Sequence, residues 1–204
     1  MRRLITLITL TLALSAVQAQ DRLPYTHNAE DGQKHMKFMG MNMGGKLATF
    51  VNKLRQKGFT ADNRNSTPTS TVMTGKFAGY NNCTLMIYPN SEGNVYLVGV
   101  IFPENDTWMG LHTNYSTIKN MLIQKYGEPI DCKEEFDTDY PPRDDFDRMH
   151  QTRMERCKYS TIFALDEGRI VETISTTSMN CYVMLLYGDE EGYNINKENA
   201  IDDL

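Results

Sequence analysis

Residues 94–102, NVYLVGVIF, carry no charge and place an apolar or aromatic side chain at every position from Val95 to Phe102 except Gly99. β-Branched and aromatic residues that follow the turn signal Glu92-Gly93-Asn94 predict a strand. A strand with one wet face alternates between apolar and polar residues. This one does not, so both of its faces carry more apolar surface than such a sheet requires. Upstream, Cys83–Tyr88 reads the same way: with Leu85 and Ile87 turned toward a helix, Thr84, Met86 and Tyr88 turn outward. Alternation is likewise expected to send Tyr96, Val98 and Val100 outward and Val95, Leu97 and Ile101 inward.

Two further strands, Phe59–Asp62 and Thr71–Phe77, complete a first set of four, with turns such as Asn81-Asn82 between them. A second set follows at Ile130–Phe136, Lys158–Leu165, Arg169–Ser175 and Asn180–Tyr187. Short turns make sequential strands antiparallel, because parallel neighbours need a long crossover. An amphipathic helix precedes each set. Leu47, Phe50, Val51 and Leu54 mark one helical face, and Tyr115, Ile118, Met121 and Leu122 mark the other, with Gly58 and Gly127 as stops. A shift of 68 residues sets Phe50 on Ile118 and Leu54 on Leu122, and a shift of 86 sets Phe77-Ala78 on Phe163-Ala164 and Tyr96 on Tyr182. Phe38-Met39-Gly40 pairs with Trp108-Met109-Gly110 in the same scheme. The sequence thus predicts an α+β fold of two tandem repeats, 36–106 and 107–188, each a helix followed by an antiparallel meander of about four strands. The second repeat carries a polar insertion at about 137–156, DTDYPPRDDFDRMHQTRM and its flanks, read as a solvated loop.

The segments FMG…GGKLATFVNKLRQKGF and YSTIKNMLIQKYGEP, each leading into a meander, resemble exported Bacteroidetes-type proteins with a tandem fold similar to the β-lactamase inhibitor protein. The resemblance spans about residues 36–188. It implies a helix-plus-sheet tandem architecture, its motifs being structural and speaking to fold rather than function; none of the inhibitor's contact residues has a match to carry over.

The chain opens MRRLITLITLTLALSAVQAQ. A two-arginine head, a short apolar stretch and Val17-Gln18-Ala19 read as a signal peptide over residues 1–19, followed by a flexible segment 20–35. The expected location is the periplasm or outside the cell, without stable membrane insertion after cleavage. Removing Arg2 and Arg3 lowers the 21 basic residues to 19 against 26 acidic ones, a net of −7. That balance argues against nucleic acid as a partner. Residues 189–204 read as an acidic tail.

An exported chain with four cysteines is expected to form disulfides. Cys132 and Cys157 flank the insertion near the ends of two strands that should pair, so a bridge between them is expected; Cys83 and Cys181 are left open. His35, Met36, Met39, Met41 and Met43 loosely fit a soft-metal site for copper, since thioethers select Cu(I). Methionine is also a pliable core filler, and that reading is preferred. Alternation would put Met39, Met41 and Met43 on one face and Phe38 on the other. His27, His35, His112 and His150 belong to no zinc-helix or nucleophile-elbow motif, and the aspartates 137, 139, 144, 145 and 147 lack the spacing of a calcium loop. No cofactor is expected.

The functional expectation is therefore a non-enzymatic exported protein that binds an envelope or secreted protein, or a peptide, through the sheet face opposite the helices. Its candidate contact residues are Met86, Tyr88, Tyr96, Val98, Tyr182 and Met184. The alternatives are a copper binder using His35–Met43 and a hydrolase whose site leaves no motif. Whether the outer face is open, or is covered by the other sheet or a terminal segment, is left open by the sequence.

Overall fold

In the computed structural model, which describes residues 35–137, 139 and 141–195, the chain begins with a small hairpin, β1 (Lys37–Phe38) and β2 (Met41–Asn42). Met39 and Gly40 both have positive φ, 51° and 78°, the geometry of a two-residue turn whose twist matches its strands. Helix α1 (Leu47–Gln56) follows and buries Phe50, Val51 and Leu54. It ends where Gly58 takes a φ of 91°, a conformation cheap only for glycine. Strands β3 (Thr60–Ala61), β4 (Thr71–Phe77), β5 (Tyr80–Pro89) and β6 (Val95–Ile101) come next.

The second half opens with α2 (Trp108–Tyr126). The Thr107 side chain caps it by accepting from the Gly110 N–H at 3.2 Å, and Gly127 (φ 85°) stops it. Then come β7 (Asp131–Phe136), α3 (Asp145–Arg153), β8 (Cys157–Leu165), β9 (Gly168–Thr177) and β10 (Asn180–Asp189). The strands β3 to β10 form one antiparallel sheet of order β3-β4-β5-β6-β10-β9-β8-β7. The fold is α+β. The two meanders join through their last strands, with Val100 opposite Leu185, so the largely apolar stretches 95–101 of β6 and 181–187 of β10 lie at the centre of the sheet.

Helices α1, α2 and α3 and the β1–β2 hairpin all contribute to one core on one face, called here the inner face. Leu85, Ile87, Val98, Val100, Val183, Leu185 and Tyr187 meet Phe50, Leu54, Leu111, Tyr115, Ile118 and Met149 there. Phe38 stacks on Phe77 at 5.4 Å and meets Tyr187 edge-on at 5.1 Å. Each such fully buried side chain contributes roughly 1.5–3 kcal/mol. At the floor of the core Asp189 is fully buried. Its carboxylate accepts from the Met36 N–H at 2.7 Å and the Gly192 N–H at 3.0 Å, and it meets His35 Nδ1 at 3.0 Å. The first residue of the expected acidic tail is therefore an anchor between the hairpin and the helical residues 190–195.

Several expectations are overturned. Phe38-Met39-Gly40 is a hairpin turn, whereas Trp108-Met109-Gly110 is the first turn of α2, so the two triplets are not equivalent. The tight turn at Met39 also resets the alternation: Met36, Phe38, Met41 and Met43 are all buried in the same core, and Met39 packs beside it. The solvated-loop reading of the insertion missed α3, which is N-capped by Asp144 through the Asp147 N–H at 2.8 Å and pinned by the buried Met149. The expected Cys132–Cys157 bridge is absent and all four cysteines are free. Cys132 lies opposite Thr161, whereas Cys157 lies opposite Phe136. Four residues of strand separate the two, roughly 13 Å, about twice the reach of a disulfide.

The strand alignment fails for a related reason. The pairing register shifts between Gly75 and Phe77 on β4, and again between Tyr88 and Pro89 on β5. Tyr88 opposes Leu97 but Pro89 opposes Val95, which leaves Tyr96 as the extra residue of a bulge. One extra residue inverts every face beyond it. Val98 and Val100 pair with Ile87 and Leu85 and face the helices, while Leu97, Gly99 and Ile101 face away. The pairings of β9 with β8 and β10 show no such shift. A shift of 86 therefore sets inward Val98 on outward Met184, and it does not equate the two halves strand by strand.

Candidate functional site

The outer face is defined by register. Val72, Met86, Gly99, Leu186, Val171 and Ile162 lie directly opposite one another in a straight row across six strands, ending at Asp131 on β7. Thr84, Ile101, Met184 and Thr173 form the next row, and Tyr88, Leu97, Gly188 and Arg169 the row on the other side. Directly opposed pairs have Cβ atoms about 5 Å apart, so these side chains form one surface. Gly99 leaves a gap that its neighbours close: a Cβ there would lie 3.3 Å from Met86 Cε and 3.5 Å from Leu186 Cδ2.

Of the candidate contact residues, Met86, Tyr88, Tyr182 and Met184 lie on this face. Tyr88 donates from its hydroxyl to Met86 Sδ at 3.6 Å; burial pushes its phenol up, with the nearby Tyr96 adding to it. Tyr182 is 4% exposed, its hydroxyl 2.8 Å from Thr177 Oγ1, and burial pushes its phenol up as well. Met184 is 7% exposed. Val98 is withdrawn from the set, because it is wholly buried against the helices. Tyr96 sits in the bulge with its Cβ against Gly192, so it is not the partner position of Tyr182. The face also includes Leu97, Ile101, Val171, Ile162 and Leu186. The first two were hidden from alternation by the bulge; Val171 and Ile162 stand next to the equally apolar Ile170 and Phe163 of the inner core, so their strands alone do not mark which face they take.

A second constellation lies on the inner face. Cys132, Thr161 and Glu172 are directly opposite one another on β7, β8 and β9. Thr161 and Glu172 have no exposed surface. The Tyr115 hydroxyl lies 2.6 Å from Thr161 Oγ1, and Cys132 Sγ lies 3.5 Å from the same oxygen and 3.6 Å from Glu134 Oε1. Lys119 pairs with Glu134. Burial lowers the affinity of the Lys119 ammonium for its proton, but the hydrogen bond and charge of Glu134 outweigh that and leave it above the usual lysine range. Neither carboxyl oxygen of Glu172 has a hydrogen-bond partner. Burial pushes its pKa up to about 9, with Lys119 opposing and Glu134 reinforcing, so the group is neutral at pH 7. A neutral acid, a lysine and a thiol are chemically suggestive, but the acid lies beneath α2, and two surface clefts lie elsewhere. One, of about 600 Å³, lies between Gly40–Asn42 and Lys53–Lys57. The other, of about 400 Å³, lies around Arg143, His150 and Arg156.

Among the described residues, no three His, Cys, Asp or Glu side chains cluster to hold a metal ion, and no helix is long and apolar enough to cross a membrane. Met36, Met41 and Met43 are core residues. No protein-family model, curated protein or solved structure matches the chain.

Proposed function

We propose that the chain is an exported, non-enzymatic binding protein of two tandem helix-plus-meander units, and that its outer sheet face holds an apolar stretch of a partner polypeptide. The observation that carries this reading is the row Val72–Met86–Gly99–Leu186–Val171–Ile162, apolar across six strands on the face to which α1, α2 and α3 contribute nothing. Val72, Leu186 and Ile162 of the row are buried, while Met86, Val171 and the neighbouring Ile101 are half-buried and are what a partner would meet directly. Pliable methionine and amphipathic tyrosine suit it to a partner. The tandem reading is supported by the mirrored strand order about β6 and β10 and by a helix ahead of each meander. A partner bound here would dock on strands held rigid by the core behind them, which lowers the ordering cost of binding.

The test is site-specific photocrosslinking in the cell envelope. A photoreactive residue at Met86 or Ile101 is expected to trap one and the same polypeptide, while the same residue at Met109 or Met121, exposed on α2, traps none. Equal adducts from both faces, or none from the outer one, would refute the reading.

A further inference from the structure

The two ends of the sheet are unlike. β3 has two residues, whereas β7 has six and, among the described residues, pairs only with β8. One side of the β7 backbone therefore faces away from the sheet, and Asp131 to Glu135 are all exposed. A charged edge strand ordinarily resists pairing, since a second strand brings like charges together. The stretch Asp131-Cys132-Lys133 behaves differently. Under an antiparallel two-fold axis at Cys132, each Asp131 faces the other copy's Lys133, and opposite charges meet twice. Moving the axis to Asp131, Lys133 or Glu134 makes that residue face itself. Of these registers the one at Cys132 alone pairs opposite charges without setting like charges face to face; the one at Glu134 also brings Lys133 opposite Glu135, but with Glu134 facing itself.

We propose that β7 is a self-pairing edge through which two copies of this chain join their sheets, with Cys132 opposite Cys132 and paired Asp131 and Lys133 on either side. Pairing satisfies backbone groups that the edge leaves to water, and the symmetric dimer is the commonest closed assembly. Cys132 is the exposed cysteine of the four, so it reports on the register. Directly opposed Cα atoms lie about 4.5–5.5 Å apart, inside the roughly 4.4–6.8 Å that a disulfide spans. An added diazene such as diamide would take the two thiol hydrogens and leave as the hydrazine, closing one S–S bond between copies. The interface lies at the sheet edge and does not depend on the binding role given to the outer face.

The test combines mass and crosslinking on the mature chain. By light scattering under reducing conditions the chain is expected at twice its monomer mass, and diamide is expected to link the copies through Cys132 alone. Asp131→Lys and Lys133→Asp, each of which sets like charges together, should both give monomers. The double exchange Asp131→Lys with Lys133→Asp should restore the dimer, and such restoration separates a pairing defect from misfolding. Cys132→Ser should abolish the crosslink and keep the mass. A monomer at every concentration, a dimer that survives either single charge reversal, a double exchange that stays monomeric, or crosslinks through another cysteine would each overturn the proposal.

Discussion

Two rows of side chains, one residue apart on every strand, run across the sheet on opposite faces. The inner row is Met73–Leu85–Val100–Leu185–Glu172–Thr161–Cys132, and the outer row is Val72–Met86–Gly99–Leu186–Val171–Ile162–Asp131. The row beneath the helices turns polar at Glu172, an unpartnered acid, and ends in Cys132, while the row on the far side stays apolar until the last strand. Cover by helices and polarity have come apart. The apolar outer row is what a binding surface needs, and the buried acid is a cost carried by the second half of the core alone.

The comparison can be broken most severely at its apolar inner end. Leu85 is wholly buried among core side chains, so Leu85→Ala should cost about 2–5 kcal/mol by transfer and cavity terms, read from the denaturant midpoint. The cost should be far larger than for Met86→Ala next to it. Equal costs would mean that the outer face is packed as a core.

Glu172 sharpens the polar end. Its folded pKa of about 9 exceeds the ordinary glutamate value, so the folded state holds a proton that the unfolded chain releases. Stability is therefore undiminished below about pH 4 and falls as pH rises toward 9, by at most about 1.4 kcal/mol per pH unit. Glu172→Gln should flatten that slope and raise stability at pH 8 by roughly 2–4 kcal/mol, a shift discounted for relaxation of the site. Melts at pH 5 and pH 8 decide it. A variant whose melting point keeps the same pH dependence would show that Glu172 is already ionised in the fold. A smaller effect is expected one strand away: Tyr115→Phe leaves Thr161 without its 2.6 Å partner and should cost about 1–2 kcal/mol.

Much of this architecture is legible in the sequence, for physical reasons. Strands from Thr71–Phe77 to Asn180–Asp189 announce themselves by β-branched and aromatic runs between turn residues, and α1 and α2 end at glycines that adopt positive φ. The faces were legible where alternation is uninterrupted, as in β10. They were not in β6, because nothing in the pattern marks Tyr96 as the bulge. Helix α3 was obscured by its polarity, although Asp144 before an acidic first turn and Arg153 in the last turn give it both end signals. Glu172 could not be found from sequence, since a lone glutamate in VET says nothing about what lies above it.

Leu185 and Leu186 condense the two faces into adjacent residues of one strand. Both are nearly without exposure, 1% and 4%, and both are leucine. The most direct measurement is a thermal melt of Leu185→Asp beside Leu186→Asp, followed by photocrosslinking from position 86 in whichever variant folds. A charge at 185 enters the core and should unfold the chain. At 186, only 4% exposed but outside the helix-covered core, it should lower the melting temperature yet leave a cooperative fold, and abolish the crosslinked partner. Unfolding of both variants alike, or a folded Leu186→Asp that still captures the same polypeptide, would contradict the outer face as the binding surface.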